Sequence, residues 1–305
     1  MMLALLGVLL ILYLFFHFHR AYCMVYENCH PKRVAVSTMD KIPYEKKRFS
    51  FRSRDGILLA AVEWLPNQKI KGTVIACHYL GGSKNAIYPY IEPLLKAGYR
   101  VTAFDYPNHG ESMDRKSIKY DLEEEMKRFF CKIKELGMEG PYAAIGFSMG
   151  ASLALSAAVF CKDIKAVVVD SGPLIFVKEY VEYVMRNKKT KNYIEKMAFL
   201  FFYFYIVGFQ KMSIKMKKRV KEYFKLPILI IHGKRDQTIP IRNTEYLYGQ
   251  LDLTKSKRVL VDRSHHLTNR VLLGEKYDKM IVEFITENLA EMAYEKGKST
   301  EDIIR

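Results

Sequence analysis

What the 305-residue sequence has little of narrows its class before any motif is read. It holds five cysteines, an odd number without metal-ligand spacing, which gives neither a disulfide framework nor a zinc site. Cys77 and Cys161 fall in an expected strand and helix, where a reduced, buried thiol is the default, and Cys23 reads as a plain thiol near the N-terminus. There is no internal repeat and no low-complexity tract, which excludes repeat arrays. Acid is scarce: 33 Asp and Glu stand against 49 Lys and Arg, a formal charge of +16. Such an excess invites nucleic acid or an anionic membrane surface as partner. No recognisable nucleic-acid reading module accompanies it, and charge alone gives weak, salt-sensitive binding. Half the residues are hydrophobic, so the chain is not disordered, and its length suits one large domain with an insertion.

The N-terminus decides between the two partners. From Met1 to Phe16 every residue is apolar or glycine, followed by His17-Phe18-His19-Arg20. The run is short for a spanning helix and long for the core of a secretory signal. No basic segment precedes it and no small-x-small cleavage pattern follows, so residues 1–20 are expected to be a retained, single-pass anchor. Arg20, Lys32, Arg33, Lys41, Lys46, Lys47 and Arg48 all follow the run, so by the positive-inside bias the globular part is expected on the cytoplasmic side of the cell membrane. Residues 21–45, polar, basic and without period, are expected to be a linker.

From residue 46 to 305 the pattern is that of one α/β domain. Arg48–Arg52 and Ile57–Trp64 flank the turn signal Arg54-Asp55-Gly56 and predict an antiparallel pair. Buried apolar runs then alternate with helical segments. The strands are expected at Gly72–Cys77, Arg100–Phe104, the run ending at Phe147, Ile164–Asp170, Pro227–Ile231 and Arg258–Val261. The helices are expected at about Asn85–Ala97, Tyr120–Leu136, Ala151–Ala158, Thr238–Leu251 and Gly274–Tyr294. The fold class is therefore a mostly parallel sheet with helices on both faces. Residues of about 171–225 break the alternation and predict a helical cap carrying thirteen Lys or Arg against four Glu. Within it, Met197–Phe209 is a continuous apolar and aromatic run, suited to a core helix or to a lid that touches lipid.

Chemistry gathers at Gly146-Phe147-Ser148-Met149-Gly150, a strand, a sharp turn and a helix with serine at the apex. Residues two positions away on each side must lack a side chain if strand and helix are to approach, and Gly146 and Gly150 do. A serine hydroxyl is a poor nucleophile unaided, so a histidine base and a carboxylate should follow. After the strand ending at Ile231 comes His232-Gly233-Lys234-Arg235-Asp236-Gln237-Thr238-Ile239-Pro240; after Val261 comes Asp262-Arg263-Ser264-His265-His266-Leu267. Loops at the C-terminal ends of parallel strands converge on one crevice, so Ser148, Asp236 and one of the paired histidines can meet. Asp170 is the alternative acid; His78, His109 and His232 read as structural, hydrogen-bonding histidines.

From about residue 46 onward the chain resembles the α/β-hydrolase superfamily of serine esterases, lipases and peptidases. The resemblance rests on His78-Tyr79-Leu80-Gly81-Gly82-Ser83-Lys84, on Phe104-Asp105-Tyr106-Pro107-Asn108-His109-Gly110-Glu111-Ser112, on the Ser148 turn and on His232-Gly233 through Asp236 with Ile239-Pro240. It implies Ser148 as nucleophile, Asp236 as orienting acid and His266, favoured over His265, as base. It also implies an oxyanion hole from the backbone N–H groups of Leu80 and Met149. Tyr79 departs from the family, which usually carries glycine there. No metal or organic cofactor is implied. The expected activity is hydrolysis of a small-molecule or lipid-like, long-acyl ester through an acyl-enzyme. The alternatives are amide hydrolysis or acyl transfer on the same triad, or a membrane-bound binding protein without turnover.

Overall fold

A computed structural model describes residues 1–33, 42–115, 121–190, 192–206 and 225–301. Eight strands form one sheet: β1 (Lys46–Arg52), β2 (Leu58–Trp64), β3 (Thr73–Cys77), β4 (Arg100–Phe104), β5 (Tyr142–Phe147), β6 (Ile164–Asp170), β7 (Ile228–Gly233) and β8 (Lys257–Val261). Their order is β1-β2-β4-β3-β5-β6-β7-β8. β1, β2 and β4 pair antiparallel and the remaining pairs are parallel. β3, β5 and β7 are buried along their whole length, as short apolar runs covered on both faces must be.

The described helices are α1 (Met2–Cys29), α2 (Tyr88–Lys96), α3 (Leu122–Glu135), α4 (Met149–Phe160), α5 (Val177–Asn187), α6 (Tyr193–Ile206), α7 (Arg242–Tyr248), α8 (Asn269–Leu273) and α9 (Glu275–Glu301). On one sheet face α2 and α9 bury Ile91, Leu94, Tyr277, Ile281, Phe284 and Leu289, residues spaced at helical period. The other face carries α3, α4 and the cap helices α5 and α6. α3 begins where the Asp121 carboxylate accepts hydrogen bonds from the Glu123 and Glu124 amides. Tyr120, at the expected start of this helix, and residues 207–209 of the aromatic run lie outside the described residues.

The largest departure from expectation is at the N-terminus. Instead of ending near residue 20 and giving way to a linker at 21–45, α1 continues to Cys29. Ala21, Met24, Val25 and Cys29 fall on one helical face and are buried in the same core as α4 and the cap. Fully burying a Met or Val side chain contributes about 1.5–3 kcal/mol, so this face holds the helix end against the domain. α1 also runs alongside α6. Phe18 and Tyr22 meet Phe202 edge to face at 6.1 and 5.7 Å between ring centroids. Between the two helices, Glu195 is fully buried and receives His17 Nδ1 at 2.7 Å and Arg20 at 3.0 Å. Among the described residues, α1 is the one helix long and apolar enough to cross a membrane.

Candidate functional site

The Ser148 turn is as tight as its glycines allow. Ser148 sits at φ 52°, a conformation that L-residues rarely adopt, directly between β5 and α4. A Cβ on Gly146 would lie 2.2 Å from the Gly150 carbonyl oxygen, and one on Gly150 would lie 2.1 Å from that of Cys77. Neither position admits any other residue without moving a strand. The Ser148 amide donates to the Asp170 carbonyl at 2.9 Å, which ties the turn to the end of β6.

Three of the expected residues meet. His266 Nε2 lies 2.8 Å from Ser148 Oγ, and His266 Nδ1 lies 2.7 Å from Asp236 Oδ2. With Nδ1–H donating to the carboxylate, Nε2 is left as the acceptor for the serine hydroxyl. Asp236 is buried, and its other oxygen accepts the Thr238 and Ile239 amides, both at 2.9 Å, so its direction is fixed by backbone. His265 does not take part: it is exposed, and its amide donates to Thr268 Oγ1.

Asp170 is placed elsewhere, fully buried, accepting from Tyr277 Oη at 2.7 Å, Asn269 Nδ2 at 2.6 Å and Ser171 Oγ at 2.8 Å. Burial pushes its carboxyl above the ordinary range, against the pull of these donors. Ser171 Oγ in turn accepts the Leu267 amide at 3.0 Å, next to His266. Asp170 thus supports the loop that carries His266 without facing Ser148.

The loop after β3 holds Leu80, which lines a pocket together with Ser148 and Met149. Met149 opens α4, where first-turn amides have no intrahelical acceptor. The tyrosine at position 79 is accommodated away from the pocket, its ring packing on the α2–α9 side of the sheet. Gly82 makes room for it: a Cβ there would lie 2.8 Å from that ring. The loop is braced by the buried pair Lys84–Asp105, joined at 2.6 Å from Nζ and at 2.6 Å from the Lys84 amide, with Nζ also reaching the exposed Glu111 at 2.8 Å.

The other histidines are hydrogen-bonded structural groups. His78 donates from Nδ1 to the Tyr79 carbonyl and accepts the Tyr106 amide at Nε2. His232 donates from Nε2 to the Ile239 carbonyl and accepts Thr244 Oγ1 at Nδ1. Burial lowers the pKa of both, and that of His109 to about 4. Among the described residues no cluster of His, Cys, Asp and Glu is arranged to hold a metal.

The pocket has a second side. Besides Leu174 and Ile239 it is lined by Asn28 and Cys29 from α1, Tyr180 from α5 and Tyr203 from α6. Its cavity volume is about 40 Å³ and its surface is mostly apolar, room for roughly one to three water molecules. Sequence reasoning missed these four residues. The signal was there for α1, since Ala21, Met24 and Val25, and Asn28 and Cys29 keep the helical period through the supposed linker.

Comparison with known proteins agrees with this architecture. The α/β-hydrolase fold family model matches residues 72–196, a stretch that includes Ser148 and stops short of Asp236 and His266. The structure resembles the esterase Pf2001 of Pyrococcus furiosus with a TM-score of 0.67 at 22% identity, over 85% of this chain and 99% of that one. It also resembles a thermostable carboxyl esterase of Bacillus coagulans, with a TM-score of 0.61 at 16% identity over 80% and 99% of the two chains. By sequence, an uncharacterized Bacillus subtilis protein, YqkD, is 24% identical over 249 residues, 79% of either chain. The fold is the α/β-hydrolase fold.

Proposed function

We propose that the protein is a serine hydrolase that cleaves carboxylic esters. The observation that carries this reading is the unbroken hydrogen-bond series Ser148–His266–Asp236 at the edge of an apolar pocket. The esterases among its structural relatives are consistent with it. As Ser148 Oγ bonds to the ester carbonyl carbon, its proton passes to His266 Nε2, and Asp236 stabilises the imidazolium. The Leu80 and Met149 amides receive the developing oxyanion. The alcohol leaves with the proton from His266, and water, deprotonated by the same histidine, releases the acid from the acyl-enzyme.

The membrane part of the reading rests on reach. The eleven residues from Met2 to Leu12 precede Tyr13, whose hydroxyl receives Asn192 from the cap. They extend about 16 Å, against a hydrocarbon core of about 30 Å. A bilayer that takes up the apolar run of α1 therefore also meets α6, which exposes Tyr193, Met197 and Phe201 four residues apart. The basic residues after the run support a cytoplasmic side for the hydrolase domain. Lipid-like esters are the substrates that such a position supplies.

Labelling with a fluorophosphonate probe tests the chemistry. Full-length wild type in vesicles should label and Ser148→Ala should not; failure of the folded wild type to label would overturn the proposal. The lipid reading predicts higher turnover of long-acyl esters on anionic vesicles than in detergent alone.

A further inference from the structure

We propose that the last turn of α1, through Asn28 and Cys29, is the acyl-selecting wall of the Ser148 pocket, so that the N-terminal helix belongs to the substrate site as well as to the membrane. The inference rests on Ser148 being the nucleophile, and it says which residues decide the acyl group that nucleophile accepts.

The wall is held from two directions. On the sheet side, the Cys29 carbonyl accepts Asn108 Nδ2 at 2.8 Å, and His30 Nε2 reaches the Arg115 carbonyl at 3.0 Å. Arg33 closes over the same loop, donating to the carbonyls of Gly110 at 2.5 Å and Ser112 at 2.7 Å. On the cap side, Tyr180 Oη donates to Asn28 Oδ1 at 3.0 Å, and Lys188 meets Glu27 at 2.5 Å. Of these partners Tyr180 itself lines the pocket, and the others fix the helix end on either side of it.

The chemistry of the wall is that of an aliphatic sieve. Asn28 Nδ2 donates to the Met24 carbonyl while its oxygen takes Tyr180, so each polar atom has a partner of its own. The lining left for the substrate is mostly apolar, with Cys29 sharing it with Leu80, Met149, Leu174 and Ile239. The cavity of about 40 Å³ is small enough for one side chain to decide what fits. One methylene too many or too few in an apolar pocket is worth roughly 10–200-fold in kcat/KM, so a change of side chain at Cys29 should register as a change in chain-length preference.

The test uses full-length protein in nanodiscs with p-nitrophenyl acetate and p-nitrophenyl hexanoate as probes. Cys29→Ala should raise the hexanoate-to-acetate ratio of kcat/KM about tenfold, and Cys29→Phe should lower it by about tenfold. Circular dichroism melting identifies folded variants, and Cys29→Ala carries the test if the bulkier variant does not fold. In parallel, binding of 2-octanone, an uncleavable ester isostere, is measured in the Ser148→Ala background with and without the Cys29 changes. Ratios within twofold of wild type in folded variants, with ketone binding unchanged, would overturn the wall. Ketone binding that follows Cys29 in a protein whose wild type does not label with fluorophosphonate would instead sustain the wall and overturn the reading of Ser148.

Discussion

The two sides of the pocket are built by different means. On the sheet side, position is set by backbone: a strained φ at Ser148, glycines on which no Cβ fits, and a carboxylate pinned by two amides of its own loop. Each of these depends on residues within a few positions of one another, or on the register of adjacent strands. On the cap side, position is set by side chains meeting between helices, with partners as far apart in sequence as His17 and Glu195. The comparison teaches that the Ser148–His266–Asp236 geometry and the far wall of the pocket are separately specified here, the first by local turns and the second by long-range packing of α1 against α5 and α6.

That separation can be broken deliberately. The largest effect is expected on the sheet side, where Asp236→Asn should lower kcat about 10³–10⁴-fold because the imidazole loses both its orientation and its counter-charge. Asp170→Asn, which reaches His266 only through Ser171 and the Leu267 amide, should cost about tenfold, measured by the same ester assay. Equal losses in the two variants would show that the neighbouring carboxylates are not divided between orienting and supporting roles.

A pH titration sharpens the contrast from within the sheet-side loops. Burial holds the His109 pKa at about 4 in the folded protein, below the ordinary histidine value of about 6.5. The unfolded chain therefore binds more protons between those values, so the stabilising contribution is complete above about pH 6.5 and is lost as pH falls towards 4. Denaturant melts across this window should show a decline that is smaller in His109→Asn, by on the order of 2–3 kcal/mol. The smallest effect belongs to the cap side. Glu195→Ala removes the buried carboxylate shared by His17 and Arg20 and should lower stability by about 2 kcal/mol. The hexanoate-to-acetate preference should shift with it, while the fluorophosphonate labelling rate changes less.

The sheet, its eight strands and the meeting of Ser148, Asp236 and a histidine were legible because the signals are local. A glycine two residues on either side of a serine has one physical reading, and strand-end loops of a parallel sheet open to one edge. The choice between His265 and His266 was only partly legible, since it turns on which of two adjacent side chains faces the sheet, and Arg263 and Leu267 at positive φ set that rotation. The end of α1 reads as linker because polar, basic and proline residues follow Glu27 without period. The buried face from Ala21 to Cys29 acquires meaning only when the cap and the loop holding Asn108 are present to cover it. How Tyr79 is accommodated where glycine is usual was not legible for the same reason: the space that receives its ring is created by Gly82 and by the far side of the sheet.

The seating of α1 has a consequence for how the protein is made. The helix is synthesised before the residues that fix its second half: Asn108, Tyr180 and Glu195 follow 79, 152 and 178 residues after their partners. During that interval its buried face has no domain to enter, and exposed apolar surface on a nascent chain invites aggregation. A bilayer that receives the first half early would keep the second half at the surface where the cap is later assembled. Delivery to the membrane would then be a step in completing the pocket rather than a destination reached by a finished protein.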